Sequence, residues 1–167
     1  FTGEETDGIV LIAGGVGVTP LMSVVRYLTD RSWKGDIFFF FGCKTESDII
    51  YREEIEYLEK RHPNLRVWII LEEPPEDSQN SYFAGRITKE TLKERVPEIA
   101  SRRVHICGPP PMIEAVKEML DELRVPKENV HTEIFVGKLP APKAAALAPE
   151  DDHQFDLVIE LLRRRGG

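Results

Sequence analysis

Short apolar runs alternate along this chain with stretches whose apolar residues recur every three or four positions. Continuous runs bounded by turn residues mark strands buried on both faces of a parallel sheet, and the 3.6-residue recurrence marks helices packed over them. Gly8–Ala13 predicts the first strand, and Gly14-Gly15-Val16-Gly17-Val18 a loop leading to a helix. Thr19 is expected to cap that helix, Pro20 suits its first turn, and Leu21, Val24, Val25 and Leu28 form its stripe. Asp36–Phe41 predicts the second strand, followed by a helix capped by Ser47 or Asp48 that runs to about His62 with Ile50, Ile55 and Leu58 inward. Leu65–Leu71 predicts the third strand, and Glu72–Gly85, rich in Pro, Asp, Ser and Asn without an apolar period, a mobile loop. Thr88 opens a short helix through Leu92, Arg103–Cys107 is the fourth strand, and Pro109-Pro110-Pro111 opens a helix. That helix has Met112, Ala115, Val116, Met119, Leu120 and Leu123 as its buried stripe, and Val130–Phe135 is the fifth strand.

Strands alternating with helices at this spacing predict an α/β fold, a doubly wound five-stranded parallel sheet with helices on both faces. Ligands in such folds sit at the carboxyl ends of the strands, which here gathers Gly14-Gly15, Gly42-Cys43, Glu72-Glu73 and Cys107-Gly108 on one rim. Residues 1–136 are expected to form the domain, 137–152 a Pro/Ala-rich linker, and 153–167 a tail or the start of an appended domain, with a strand-like run at Phe155–Ile159. The abrupt opening of the chain, leading directly into a strand, carries the expectation of a part upstream.

The net charge of −7 excludes a binder of nucleic-acid backbone, which needs a clustered basic face. No segment reaches the roughly 20 apolar residues of a membrane span. Cys43 and Cys107 lack the partners of a metal site, and His62, His105, His131 and His153 lack ligand spacing, so no metal is expected and a reducing, cytoplasmic setting is. A tether to the cytoplasmic face of a membrane through other parts stays open.

Between a strand and a helix start, Gly14, Gly15 and Gly17 allow backbone N–H groups and the helix dipole to meet a diphosphate. The loop departs from GxGxxG, since Thr19-Pro20 fills the last position, and it lacks the GK[ST] of a P-loop. The second strand ends in Gly42-Cys43-Lys44, where common dehydrogenases place a ribose-binding acid, so the nucleotide is expected in a different pose. A merely tight turn remains the alternative.

Cys107-Gly108-Pro109-Pro110-Pro111-Met112 adds a further motif. Together with GGVGVTP, Phe41-Gly42-Cys43-Lys44 followed by Asp48-Ile49-Ile50-Tyr51, Gly85-Arg86-Ile87-Thr88, and His131-Thr132-Glu133-Ile134-Phe135, it resembles the NAD(P)-binding domain of the ferredoxin–NADP reductase family over about residues 8 to 136. The resemblance implies sheet order 3-2-1-4-5, an N-terminal FAD-binding domain absent from this chain, and a nicotinamide held against the flavin. It places Gly14, Gly15, Gly17, Thr19 and Pro20 on the diphosphate and nicotinamide side, and Cys107 and Gly108 at the nicotinamide, with Pro109, Pro110 and Met112 packing under the cofactor. Cys107, orienting the ring rather than attacking it, stands with Thr19 and Glu133 as the catalytic set; Glu133 belongs near the flavin–nicotinamide junction and Phe135 at the flavin interface. A buried Cys, a solvated strand-end Glu and a core Phe are the plain alternatives for Cys107, Glu133 and Phe135.

Glu72 and Glu73 would repel a 2′-phosphate and can accept hydrogen bonds from free ribose hydroxyls, so NAD(H) is favoured over NADP(H). Lys44 and Arg86 are the basic groups that can reach the same end, and Cys43 walls the adenine. The function implied is the nucleotide-binding half of an FAD-dependent reductase that passes electrons to a one-electron acceptor such as an iron–sulfur or haem protein. The fragment alone is expected to be inactive. A non-catalytic nucleotide-binding or regulatory module and an NADPH-specific reductase domain are the alternatives; a methyltransferase fits less, because Lys44 stands where it needs an acid. The tail resembles the start of an appended [2Fe-2S] domain, although the cluster's cysteines are absent.

Overall fold

The computed structural model describes residues 2–76 and 82–134. The expectations for Phe135, for the linker over 137–152 and for the tail over 153–167 lie outside the described residues.

Six parallel strands form one sheet in the order β4-β3-β2-β1-β5-β6. They are β1 (Gly8–Gly14), β2 (Asp36–Cys43), β3 (Leu65–Leu71), β4 (Phe83–Ala84), β5 (Arg103–Gly108) and β6 (Val130–Ile134). The helices are α1 (Val18–Asp30), α2 (Arg52–Arg61), α3 (Lys89–Arg95) and α4 (Pro110–Glu122). Strand β1 is buried along its whole length, in register with Asp36–Gly42 on one side and Arg103–Cys107 on the other. Its alternate residues feed two cores. Ile9, Leu11 and Ala13 join Phe39, Phe41, Leu21, Met22, Val25 and Ile55 beneath α1 and α2. Val10 and Ile12 join Phe38, Phe40, Ile106, Leu92, Val116 and Leu120 beneath α3 and α4. The run Phe38–Phe41 is fully buried on both faces, and each ring removed from water stabilises the fold by roughly 1.5–3 kcal/mol. The sheet therefore has the order and the two helical layers that the sequence implied.

Four expectations need correction. A sixth strand is added at the edge: Phe83–Ala84, inside the stretch read as a loop, pairs with Ile70–Leu71, and the Gly85 N–H donates to the Leu71 carbonyl at 2.8 Å. The helix expected from Ser47 or Asp48 is two pieces. Thr45 and Asp48 close a capping box around a single 3-10 turn over Glu46–Asp48, Ile49 turns extended, and Tyr51 takes a left-handed φ of 61° before α2 begins. Thr45, rather than Ser47 or Asp48, is the cap of that turn, and the Asp48 carboxylate at its end accepts from the Thr45 N–H and hydroxyl. Thr19 does not cap α1, whose N-cap is Gly17 without a side-chain bond. Ala115, read as core, is exposed on α4. By contrast Thr88 does cap α3, accepting from the Thr91 N–H at 3.2 Å. Among the described residues no helix is long and apolar enough to cross a membrane.

Candidate functional site

Sheet order reverses between β1 and β5, and a cleft in a doubly wound sheet opens where that reversal separates the loops at the strand ends. The loop after β1 and the loop after β5 meet there. A Cβ on Gly17 would overlap the carbonyl of Cys107, and one on Gly14 would strike the sulfur of Met112. A Cβ on Gly108 would lie 2.7 Å from the Met112 Cε and 3.2 Å from the Gly14 Cα. At Gly17 the clash is with backbone, so the contact of the two turns demands glycine there whatever the ligand; at Gly14 and Gly108 the nearest atoms belong to the end of the flexible Met112 side chain. Gly15 differs: its φ of +52° favours glycine, and no atom lies within 4 Å of where a side chain would stand, so its backbone faces open space.

That space is the floor of an 860 Å³ cleft. Gly14, Gly15 and Val16 line one end; Gly42, Cys43, Lys44, Ser47, Asp48 and Glu72 line the middle and far end; Arg86, Ile87, Pro109, Pro111 and Met112 complete the wall. The volume falls within the roughly 300–1,000 Å³ of small-molecule sites.

The two turns offer different chemistry. No side chain caps the turn over Gly15–Gly17 or the start of α1, and the first turn of α1 carries no acid. Leading amides and the positive end of the dipole are left for an anion. At α4 the N-cap is Pro109, Pro110 and Pro111 follow, and the first amide, that of Met112, bonds back to the Pro109 carbonyl at 3.0 Å. Proline has no N–H to give, so this helix start presents an apolar wall suited to a flat ring rather than to phosphate. Amide cradle and apolar wall side by side fit a nucleotide whose diphosphate and rings need opposite surroundings.

Charges at the far end come in pairs. Arg86 Nε meets Glu72 Oε1 at 2.7 Å, and Lys44 Nζ meets Glu73 Oε1 at 3.5 Å. The paired ends of β2 and β3 bring Lys44 and Glu73 together, with the Glu73 N–H donating to the Lys44 carbonyl at 2.8 Å, and the pairing of β3 with β4 brings Arg86 to Glu72.

Several sequence-predicted residues stand off the cleft in this chain. Thr19 is exposed, Pro20 is half-buried, Glu73 and Pro110 are exposed, and Gly17 and Gly108 are buried where the turns touch. Cys107 is wholly buried beneath the glycine turn, and burial, with the nearby Glu133 carboxylate, pushes its thiol pKa up. Cys43 is pushed up to about 12, chiefly by burial. Both thiols stay protonated at neutral pH, which removes nucleophilic chemistry from either. Glu133 is the register partner of Cys107 but lines a separate hollow with Leu21, His105 and His131. Missed in the sequence were Ser47, Asp48, Ile87, Pro111, Ala115 and Met119 as cleft residues. Helical periodicity assigned the last two to the core, and only their offset from Ile113 and Leu120 around α4 could have separated them.

With this geometry in place, comparison with known proteins gives a family. The model of the oxidoreductase NAD-binding domain matches residues 11–118. The chain belongs to that family. Its relatives include the glycine betaine monooxygenase reductase subunit of Chromohalobacter salexigens, 35% identical over 136 residues that cover 81% of this chain and 37% of that protein. NADH-cytochrome b5 reductase 2 of Gallus gallus is 37% identical over 123 residues, 71% of this chain and 40% of that protein. Among solved structures, the cytochrome b5 reductase domain of Ulva prolifera nitrate reductase superposes with a TM-score of 0.68 at 27% identity, covering 77% of this chain and 50% of that one. This NAD-binding domain thus spans about two fifths of the length of these two curated relatives.

Proposed function

We propose that this NAD-binding domain holds NADH for hydride transfer to an FAD carried by a flavin-binding domain of the same reductase, which passes electrons to a one-electron acceptor such as an iron–sulfur or haem protein. The observation that carries the reading is the meeting of the glycine turn after β1 and the proline turn after β5 at the head of one 860 Å³ cleft. The names of the relatives, NADH-cytochrome b5 reductase and a monooxygenase reductase subunit, support a reductase in which this domain is one part.

When bound, the nicotinamide supplies the hydride; the chain supplies position and a dry wall. Gly14, Gly15 and the amides leading into α1 hold the diphosphate, Pro109, Pro111 and Met112 bear on the rings, and Glu72 accepts from ribose hydroxyls. Cys107 and Gly108 hold the two turns in contact, Cys107 by its backbone carbonyl against Gly17. Thr19, Pro20 and Glu133, on α1 and β6, lie outside the cleft lining and are assigned to the face where a flavin partner is to be met.

Preference for NADH over NADPH follows from the ion pairs. Arg86, a basic group that a 2′-phosphate would seek, is paired through Nε with Glu72, so the extra phosphate of NADPH would sit beside that carboxylate. Titrating the purified chain with NADH and NADPH by calorimetry tests both parts. Saturable NADH binding with at least tenfold weaker NADPH binding is expected; no NADH binding at millimolar concentration would refute the assignment. Turnover is not expected without the flavin domain.

A further inference from the structure

The far end of the cleft has two walls drawn from separate parts of the chain. Lys44, Ser47 and Asp48 follow β2, whereas Gly85, Arg86 and Ile87 follow β4. The end of β3 runs between them. Strand β4 is two residues long and lies at the sheet edge, held by two register pairs and the Gly85–Leu71 bond. An attachment so short opens easily, because few bonds must break together.

Tyr82, the residue before β4, provides a second attachment. Its hydroxyl donates to Glu46 Oε1 at 2.9 Å. Glu46 lies in the 3-10 turn after β2 and is fixed by an ion pair to Arg52, the first residue of α2. The Arg52 guanidinium also lies 5.6 Å from the centre of the Tyr82 ring, which packs against the core beneath α1 and α2. The Glu46 carboxyl is held below the usual carboxylate range by the Tyr82 and Arg52 bonds, and burial and Glu46 raise the Tyr82 hydroxyl. At neutral pH the bond therefore has a charged acceptor and an intact donor.

We infer that Tyr82 is a positioning residue for the adenosine half of the nucleotide: reaching past the end of β3 to Glu46, it straps the wall after β4 to the wall after β2 and sets the width of that end of the cleft. Tyr82 does not line the cleft itself, so it acts through Gly85, Arg86 and Ile87. The inference rests on the reading of the cleft as a nucleotide site.

The test is Tyr82→Phe in the full chain, which keeps the ring and its packing and removes only the hydroxyl. NADH and AMP binding are measured by calorimetry, nicotinamide mononucleotide by competition, and exchange of the Gly85 amide by NMR. A hydrogen bond to a charged group is worth roughly tenfold or more in an equilibrium, and part of it is transmitted to the ligand. Tyr82→Phe is expected to weaken NADH and AMP about three- to tenfold, leave the mononucleotide unchanged, speed Gly85 exchange and lower Tm by no more than a few degrees. Glu46→Gln, which keeps an acceptor oxygen for Tyr82 but loses the charge and the ion pair to Arg52, is expected to fall between the unmodified chain and Tyr82→Phe, while Glu46→Ala follows Tyr82→Phe. AMP affinity unchanged in Tyr82→Phe, or an equal loss for the mononucleotide, overturns the strap while the nucleotide reading stands. Absence of NADH binding to the unmodified chain overturns the nucleotide reading and the strap with it.

Discussion

His105 and His131 are register partners on β5 and β6, their rings stacked with centroids 4.8 Å apart. Arg103 donates to His105 Nε2 at 3.2 Å, and the His131 Nε2 is buried without a hydrogen-bond partner. A proton on either ring meets burial first, and then the positive field of Arg103 and, for His105, of the neighbouring imidazole, against a weaker opposing pull from Glu5. The His105 pKa is accordingly lowered from 6.5 to about 4, and that of His131 is lowered as well. The unfolded chain, whose histidines keep the ordinary value, binds more protons than the folded one below pH 6.5, so stability falls as pH drops from there toward 4. At 1.36 kcal/mol per pKa unit, His105 alone would cost about 2 kcal/mol at pH 5, and its half-buried ring reduces this to about 1–2 kcal/mol. Urea unfolding at about pH 7.5 and pH 5 measures the loss, and His105→Phe, which keeps a ring beside His131 and cannot titrate, should remove most of it. Carboxylates with lowered pKa lose their contribution mainly below their ordinary values, 3.8 for Asp48 and 4.5 for Glu46 and Glu54, and so take only a small part in the change down to pH 5. Parallel pH dependence in His105→Phe and the unmodified chain would refute the account.

The glycine turn makes a contrast. Gly17→Ala forces a Cβ into the Cys107 carbonyl and should lower stability by about 2 kcal/mol or more while weakening NADH binding, whereas Gly42→Ala, whose Cβ would find its nearest atom at 3.7 Å, should unfold at the same urea concentration as the parent. Glu72→Gln frees Arg86 from its ion pair and should improve NADPH binding by about tenfold with a smaller change for NADH, as read by calorimetry; unchanged NADPH affinity would remove Glu72 from the selectivity argument. Cys43 and Cys107 are buried thiols of raised pKa, so neither should react with iodoacetamide in the folded chain at pH 8, and both should react in urea, as mass spectrometry would record.

Strands and helical layers were legible because their signals are local and redundant. Gly8–Ala13 and Phe38–Phe41 are apolar without alternation, which only a strand covered on both faces requires, and the structure buries them on both faces. Strand β4 was not legible, since two residues carry no period and Phe83 pairs only because the chain returns past the end of β3. The broken helix after β2 was missed for a related reason: Asp48 looks like a helix cap from its neighbours, and the commitment of its carboxylate to Thr45 is a three-dimensional fact. In the cleft, glycines and prolines announced the two turns, yet Ala115 read as core, because a helix face turned to a cavity has the same composition as one turned to a sheet; Met119, also read as core, does pack against it and reaches the cleft as well.

Glycine in these turns carries two distinct demands, and only one concerns a ligand. Gly17 is small so that the loop after β1 can touch the backbone of the loop after β5, and any larger residue would part the two before a ligand arrived, whereas Gly14 and Gly108 are close chiefly to the movable end of Met112. Gly15 alone has a left-handed backbone with open space above it. Substituting it therefore strains the backbone and covers the anion cradle without touching the contact between the turns, so Gly15→Ala should weaken the diphosphate-bearing NADH more than nicotinamide mononucleotide, while Gly17→Ala should weaken both. That difference separates a turn built to hold a diphosphate from one that is merely tight, and equal losses for the two ligands in Gly15→Ala would favour the tight turn.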